Sequence, residues 1–103
     1  MKQIIDGKTY NTDTADCIGN YSNGLGQSDF NNIDEDLYIT KKGAFFLYGD
    51  GGAMTKYSEP CGNMTREGSG IIPLSEMEAL SWMENNGDIE DIEKHFSGLV
   101  KEA

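Results

Sequence analysis

The side chains able to do chemistry are few. Cysteine occurs twice, as Cys17 and Cys61, and histidine once, as His95. A nucleophile needs a base within hydrogen-bond reach. His95 stands beside Phe96 in a stretch of helical apolar period, where a single histidine reads as a boundary residue rather than a base. Cys17, Cys61 and His95 together would give zinc three ligands, with an aspartate or water as the fourth. No two of them share the short spacing of a zinc motif, so they are weak metal candidates and no cofactor is expected. Carboxylates are plentiful, but no short motif pairs two of them for acid and base work. Gly49-Asp50-Gly51-Gly52 follows a strand as a phosphate-binding loop does, yet lacks the lysine followed by Ser or Thr. It reads as a tight turn that needs positive φ.

Charge says more than any motif. Eighteen acidic residues face 8 basic ones, a formal net charge of -10. A phosphate backbone is neutralised by Lys and Arg, so direct nucleic-acid binding is disfavoured. A surface this negative is drawn to basic clefts instead, and large basic clefts belong to proteins that hold nucleic acid. From Ser75 onward eight acids stand against Lys94 and Lys101. Glu84, Asp88, Glu90, Asp91 and Glu93 are therefore the candidate partner-binding residues, with Tyr48 and Tyr57 as exposed aromatic anchors. The N-terminus shows no secretory pattern, and no apolar stretch approaches the roughly 20 residues that span a bilayer. A cytoplasmic protein with reduced thiols, away from membranes, is expected.

These side chains need a frame. At 103 residues the chain makes one domain, 1–103, because two cores of about 50 residues each would be marginal. Asp6-Gly7 between β-formers predicts a tight hairpin. Thr12 or Asp13 is placed to cap a short helix carrying Ala15, Ile18 and Tyr21 inward. From Glu35 to Tyr48 two alternating runs flank Lys41-Lys42-Gly43, which predicts a second hairpin at the centre of the sheet. Residues 49–70 lack any period and read as a long loop that Met54, Tyr57 and Met64 pin to the core. Ile71-Ile72 makes a short strand ended by Pro73. Ser75 and Glu78 form a capping box, and Met77, Leu80 and Met83 give the following helix its inward stripe. Asn85-Asn86-Gly87 stops that helix. Asp88 caps another, whose stripe is Ile89, Ile92, Phe96 and Leu99. The expected fold is α+β: a small antiparallel sheet of about three to five strands, covered by a short N-terminal helix and a C-terminal helical hairpin.

The sequence also resembles a family of small acidic proteins carried by phages, plasmids and other mobile elements of Gram-positive bacteria. The matching residues begin with Ile4-Ile5-Asp6-Gly7-Lys8, Tyr10, Thr12 and Thr14-Ala15. They continue through Asp29-Phe30, Glu35, Leu37-Tyr38, Thr40-Lys41-Lys42-Gly43, Phe46-Leu47 and Gly49. Gly51-Gly52, Met54, Lys56-Tyr57, Cys61-Gly62, Ile71-Ile72-Pro73-Leu74-Ser75 and Glu78-Ala79 complete the set. Where related members carry a tryptophan and serine-rich stretch after the cysteine, this chain has Asn63-Met64-Thr65-Arg66. The resemblance implies an anti-CRISPR-like role: binding a CRISPR effector nuclease, of type II, and blocking nucleic-acid binding or cleavage without catalysis. The competing expectations are a zinc- or cysteine-dependent modifying enzyme and an antitoxin-like accessory protein with another partner.

Overall fold

Asp6 and Gly7 take positive φ, 51° and 76°, the geometry of a two-residue turn whose twist matches its strands. They join β1 (Lys2–Ile5) to β2 (Lys8–Asn11) in an antiparallel hairpin. The computed structural model in which this is seen describes residues 1–26 and 29–101. Glu102, one of the acids counted above, lies outside the described residues.

The central sheet has four antiparallel strands in the order β3 (Asp16–Ser22), β4 (Ile33–Ile39), β5 (Phe45–Gly51) and β8 (Gly68–Leu74). β4 and β5 are the predicted hairpin, closed by Gly43 at φ 88°, and the register sets Leu37 against Leu47 and Ile39 against Phe45. Because side chains alternate across a strand, Leu37, Phe45 and Leu47 enter one core with Ile18, Ala79, Leu80, Met83 and Phe96. Phe46 lies on the opposite face with Tyr10 and Ile71.

The helices cover the first face. α1 (Glu76–Asn86) starts with the predicted capping box: the Glu78 amide donates to the Ser75 hydroxyl at 3.1 Å, and the Ser75 amide to the Glu78 carboxylate at 2.9 Å. α2 (Ile89–Phe96) follows Gly87, and its Phe96 ring stacks on Phe45 at 5.0 Å. Asp88 holds the N-cap position of α2 without making a side-chain cap. The inward stripes are shorter than predicted. Met77 and Ile89 are 63% and 74% exposed, and Leu99 lies beyond the end of an eight-residue helix that packs through Ile92 and Phe96.

Three further expectations are corrected. No helix forms at residues 12–21. The Asn11 side chain accepts from the Asp13 amide at 2.9 Å, so Thr12 to Ala15 make a turn, and the chain then enters β3. Cys-Ile-Gly-Asn-Tyr-Ser is a run of weak helix formers that gains a ladder to β4 instead. Residues 49–70 are not a loop: β5 continues to Gly51, β6 (Glu59–Cys61) and β7 (Met64–Arg66) form a small hairpin, and β8 begins at Gly68. Of the proposed pins only Tyr57 is buried; Met54 and Met64 are 70% and 75% exposed. Finally, Pro73 does not end its strand, since β8 is an edge strand, where a missing N–H is tolerated.

Candidate functional site

Asp34 and Asp50 stand directly opposite each other on β4 and β5, and the next position on that face pairs Asp36 with Tyr48. Glu67 immediately precedes β8, where Ser69 is the register partner of Asp50. On the other side Asn20 of β3 donates to Asp36 at 2.7 Å. This end of the outer sheet face is therefore a patch of carboxylates, all at least partly exposed. The other end of the same face is different. Tyr38, Phe46 and Ile71 are apolar, and the β1–β2 hairpin lays Tyr10 and Ile5 over them. Tyr38 stacks on Phe46 at 5.2 Å, and Tyr10 meets the same ring edge-on at 5.5 Å.

Like charges facing each other across a strand pair are unfavourable. The Asp50 carboxyl accordingly sits above its ordinary range, raised by partial burial and then by Asp34, Asp36 and Glu67. Among the described residues the ion pairs are Lys56 with Glu35 and Arg66 with Glu59, so no base neutralises this patch.

Glu35 shows the contrary arrangement one residue away. It points to the helix side and is 5% exposed. The Tyr57 hydroxyl donates to its Oε2 at 2.5 Å, Lys56 Nζ lies 2.7 Å from the same oxygen, and Trp82 Nε1 donates to Oε1 at 3.2 Å. Burial alone would raise its pKa, but the bonds from Lys56, Tyr57 and Trp82 prevail and hold it below the usual range. The arrangement explains Gly49. A Cβ there would come within 2.4 Å of the Tyr57 ring, and one on Gly52 within 2.6 Å of the Asp29 and Phe30 carbonyl oxygens. None of Gly49, Gly51 and Gly52 has positive φ; the glycine run makes room for close neighbours and is not the turn expected.

Tyr57 is thus interior, and as an exposed anchor it is withdrawn: its ring fills the space over Gly49 and its hydroxyl serves Glu35. Tyr48 is half-buried at the border between the apolar and acidic ends of the outer face. Among the helical acids, Asp88 and Asp91 join Asp16 and Asn20 in a groove of about 610 Å³ between edge strand β3 and α2, with Lys94 and His95 on its wall. Glu84, Glu90 and Glu93 are exposed and do not line it. Asn20 belongs to both regions, so acid runs from the sheet face around β3 to the helices.

Cys17 and His95 both line that groove, but Cys61 sits on the β6–β7 hairpin opposite Met64. Among the described residues no three His, Cys, Asp or Glu side chains are grouped to hold a metal ion. The Cys17 thiol is pushed up by burial, and Asp36 adds to this, so it stays protonated where a nucleophile would be a thiolate.

Asp34, Asp36 and Asp50 were not among the residues expected to bind. The signal for them lies in the hairpin: the turn that sets Leu37 against Leu47 also sets Asp34 against Asp50. No family model matches the chain, and neither a curated protein nor a solved structure matches it. No helix of the described residues is long and apolar enough to cross a membrane.

Proposed function

We propose that the protein is a stoichiometric binder of a basic, nucleic-acid-holding surface, and that its contact region is the acidic end of the outer sheet face, extended around β3 to Asp88 and Asp91. One observation carries this reading: Asp34, Asp36 and Asp50 are gathered on one open face with no basic partner of their own. A domain that gathers like charge gives up stability to do so, and a cationic partner returns it on contact. The resemblance to mobile-element proteins gives the partner class, a CRISPR effector nuclease of type II, whose positively charged nucleic-acid channel the acidic face would occupy. The cytoplasm of the host bacterium is then the place of action. The modifying-enzyme alternative gains nothing from the geometry, since its two cysteines lie on separate elements and burial pushes the Cys17 thiol up.

The experiment is binding of the purified chain to type II effector at two salt concentrations, followed by DNA cleavage. Association should weaken as salt rises, because exposed charges are screened within about 10 Å at 0.1 M. Cleavage should fall in proportion to the effector occupied. No binding to any CRISPR effector would remove that partner class.

A further inference from the structure

The groove between β3 and α2 is lined by five consecutive residues of the strand, from Asp16 to Asn20. A sheet face is lined by alternate residues, because successive side chains point to opposite sides. A groove that touches every residue in turn therefore runs along the edge of the strand, where the backbone itself is exposed. β3 ends the central sheet, so every second residue points its N–H and C=O away from β4. Among the described residues no backbone hydrogen bond reaches Asp16–Ser22 from that side. The one side-chain contact to these backbone groups is the Cys17 thiol donating to the Gly19 carbonyl at 3.5 Å.

Exposed sheet edges are usually blunted. The opposite edge follows that rule, since Pro73 of β8 has no N–H to offer. On β3 the register shift between Cys17 and Gly19 is a partial device of the same kind, but beyond it residues 19–22 pair regularly with β4 and contain neither proline nor a charge. An unblunted stretch of edge is a template for one more strand, held by main-chain hydrogen bonds. The walls of the groove select what that strand carries. Asp88 and Asp91 stand across from Asp16, with Lys94 and His95 beside them. Three carboxylates against one lysine leave the groove acidic, which repels a second copy of a chain of net charge -10 and suits a basic segment. We infer that an extended, lysine- or arginine-bearing segment of the partner adds to β3 as a further strand along residues 19–22 and runs on into the groove, where its basic side chains meet Asp16, Asp88 and Asp91.

The inference rests on the proposed binding of a basic surface, and the test separates the two. Two short peptides of alternating lysine and valine, one unmodified and one N-methylated at consecutive central residues, are titrated with the full chain at low salt. Methylation keeps the charge and removes donors from both edges of the peptide, since successive N–H groups point opposite ways. Affinity for the unmodified peptide should be higher by about fivefold or more, the worth of one or two backbone hydrogen bonds. With that peptide alone, hydrogen exchange read by NMR should slow by about tenfold at the outward-facing amides of residues 19–22, and β8 should not change. Asp88→Asn with Asp91→Asn should weaken both peptides by about fivefold. Equal affinities, unchanged exchange in β3, or indifference to Asp88→Asn with Asp91→Asn overturns strand addition while leaving the acidic binding surface standing. Binding of neither peptide overturns both.

Discussion

Two neighbouring positions on the β4–β5 ladder hold carboxylates in opposite conditions. At Glu35–Gly49 the carboxylate turns inward, meets three donors and is stabilised as the anion. At Asp34–Asp50 two carboxylates turn outward and face each other. The difference follows from the alternation of a strand, which sends consecutive side chains to opposite faces. It teaches that acidic residues in one short segment serve separate purposes. Glu35 ties β4 to α1 and to the turn before β6, whereas Asp34, Asp36 and Asp50 share the outer face, where like charge raises the Asp50 carboxyl.

The packed side of that comparison carries the largest effect. Phe96→Ala removes the ring that stacks on Phe45 beneath the same face, and should cost about 3–5 kcal/mol in urea unfolding. A cost under about 1 kcal/mol would mean that α2 contributes little to the core.

Glu35→Ala tests the inward carboxylate itself. It strands the buried Tyr57 hydroxyl and the Trp82 N–H, and should cost about 2–4 kcal/mol, below the full value for a buried pair because Lys56 is half exposed. The pH dependence has a definite sign. Glu35 has a lowered pKa in the folded state, so its contribution is present above the unfolded value of about 4.3 and is lost as pH falls through the folded one. Glu35→Gln should flatten that part of the stability profile; a profile identical to the parent's would show that the inward carboxylate is not favoured by its partners.

The outward side predicts the smallest change and the reverse sign. Asp50 has a raised folded pKa, so its ionisation opposes folding, and protonation recovers stability as pH falls through that raised value. Asp50→Asn should therefore stabilise at neutral pH by about 0.2–1 kcal/mol, the range for relieving facing like charges. Destabilisation would mean that the two pairs are not opposites.

Much of the frame was legible because it depends on local rules. Asp6-Gly7, Lys41-Lys42-Gly43 and the Ser75–Glu78 capping box each specify a backbone geometry within a few residues, and all three are observed. The features that were missed require contacts distant in sequence. Nothing near Tyr57 shows that its hydroxyl meets Glu35, 22 residues earlier, or that Gly49 is small to admit its ring. β3 read as a helix because Thr12 and Asp13 suit a cap and Ala15, Ile18 and Tyr21 suit a stripe; pairing with β4 decided otherwise. The acid on the helices is visible as composition. The acid on the sheet is visible only once the register of the β4–β5 hairpin is set, and Glu35 in the middle of that run hides which of its neighbours share a face.

The most direct test of the account measures binding and stability on one variant. Asp34→Asn, Asp36→Asn and Asp50→Asn are combined, association with purified type II effector is followed at low and moderate salt, and urea unfolding is run on the same preparation. The account predicts an association rate lower by about tenfold at low salt, a smaller difference at moderate salt, and a stability equal to or above the parent's. An unchanged association rate, or a variant that binds poorly only because it has lost stability, would contradict it.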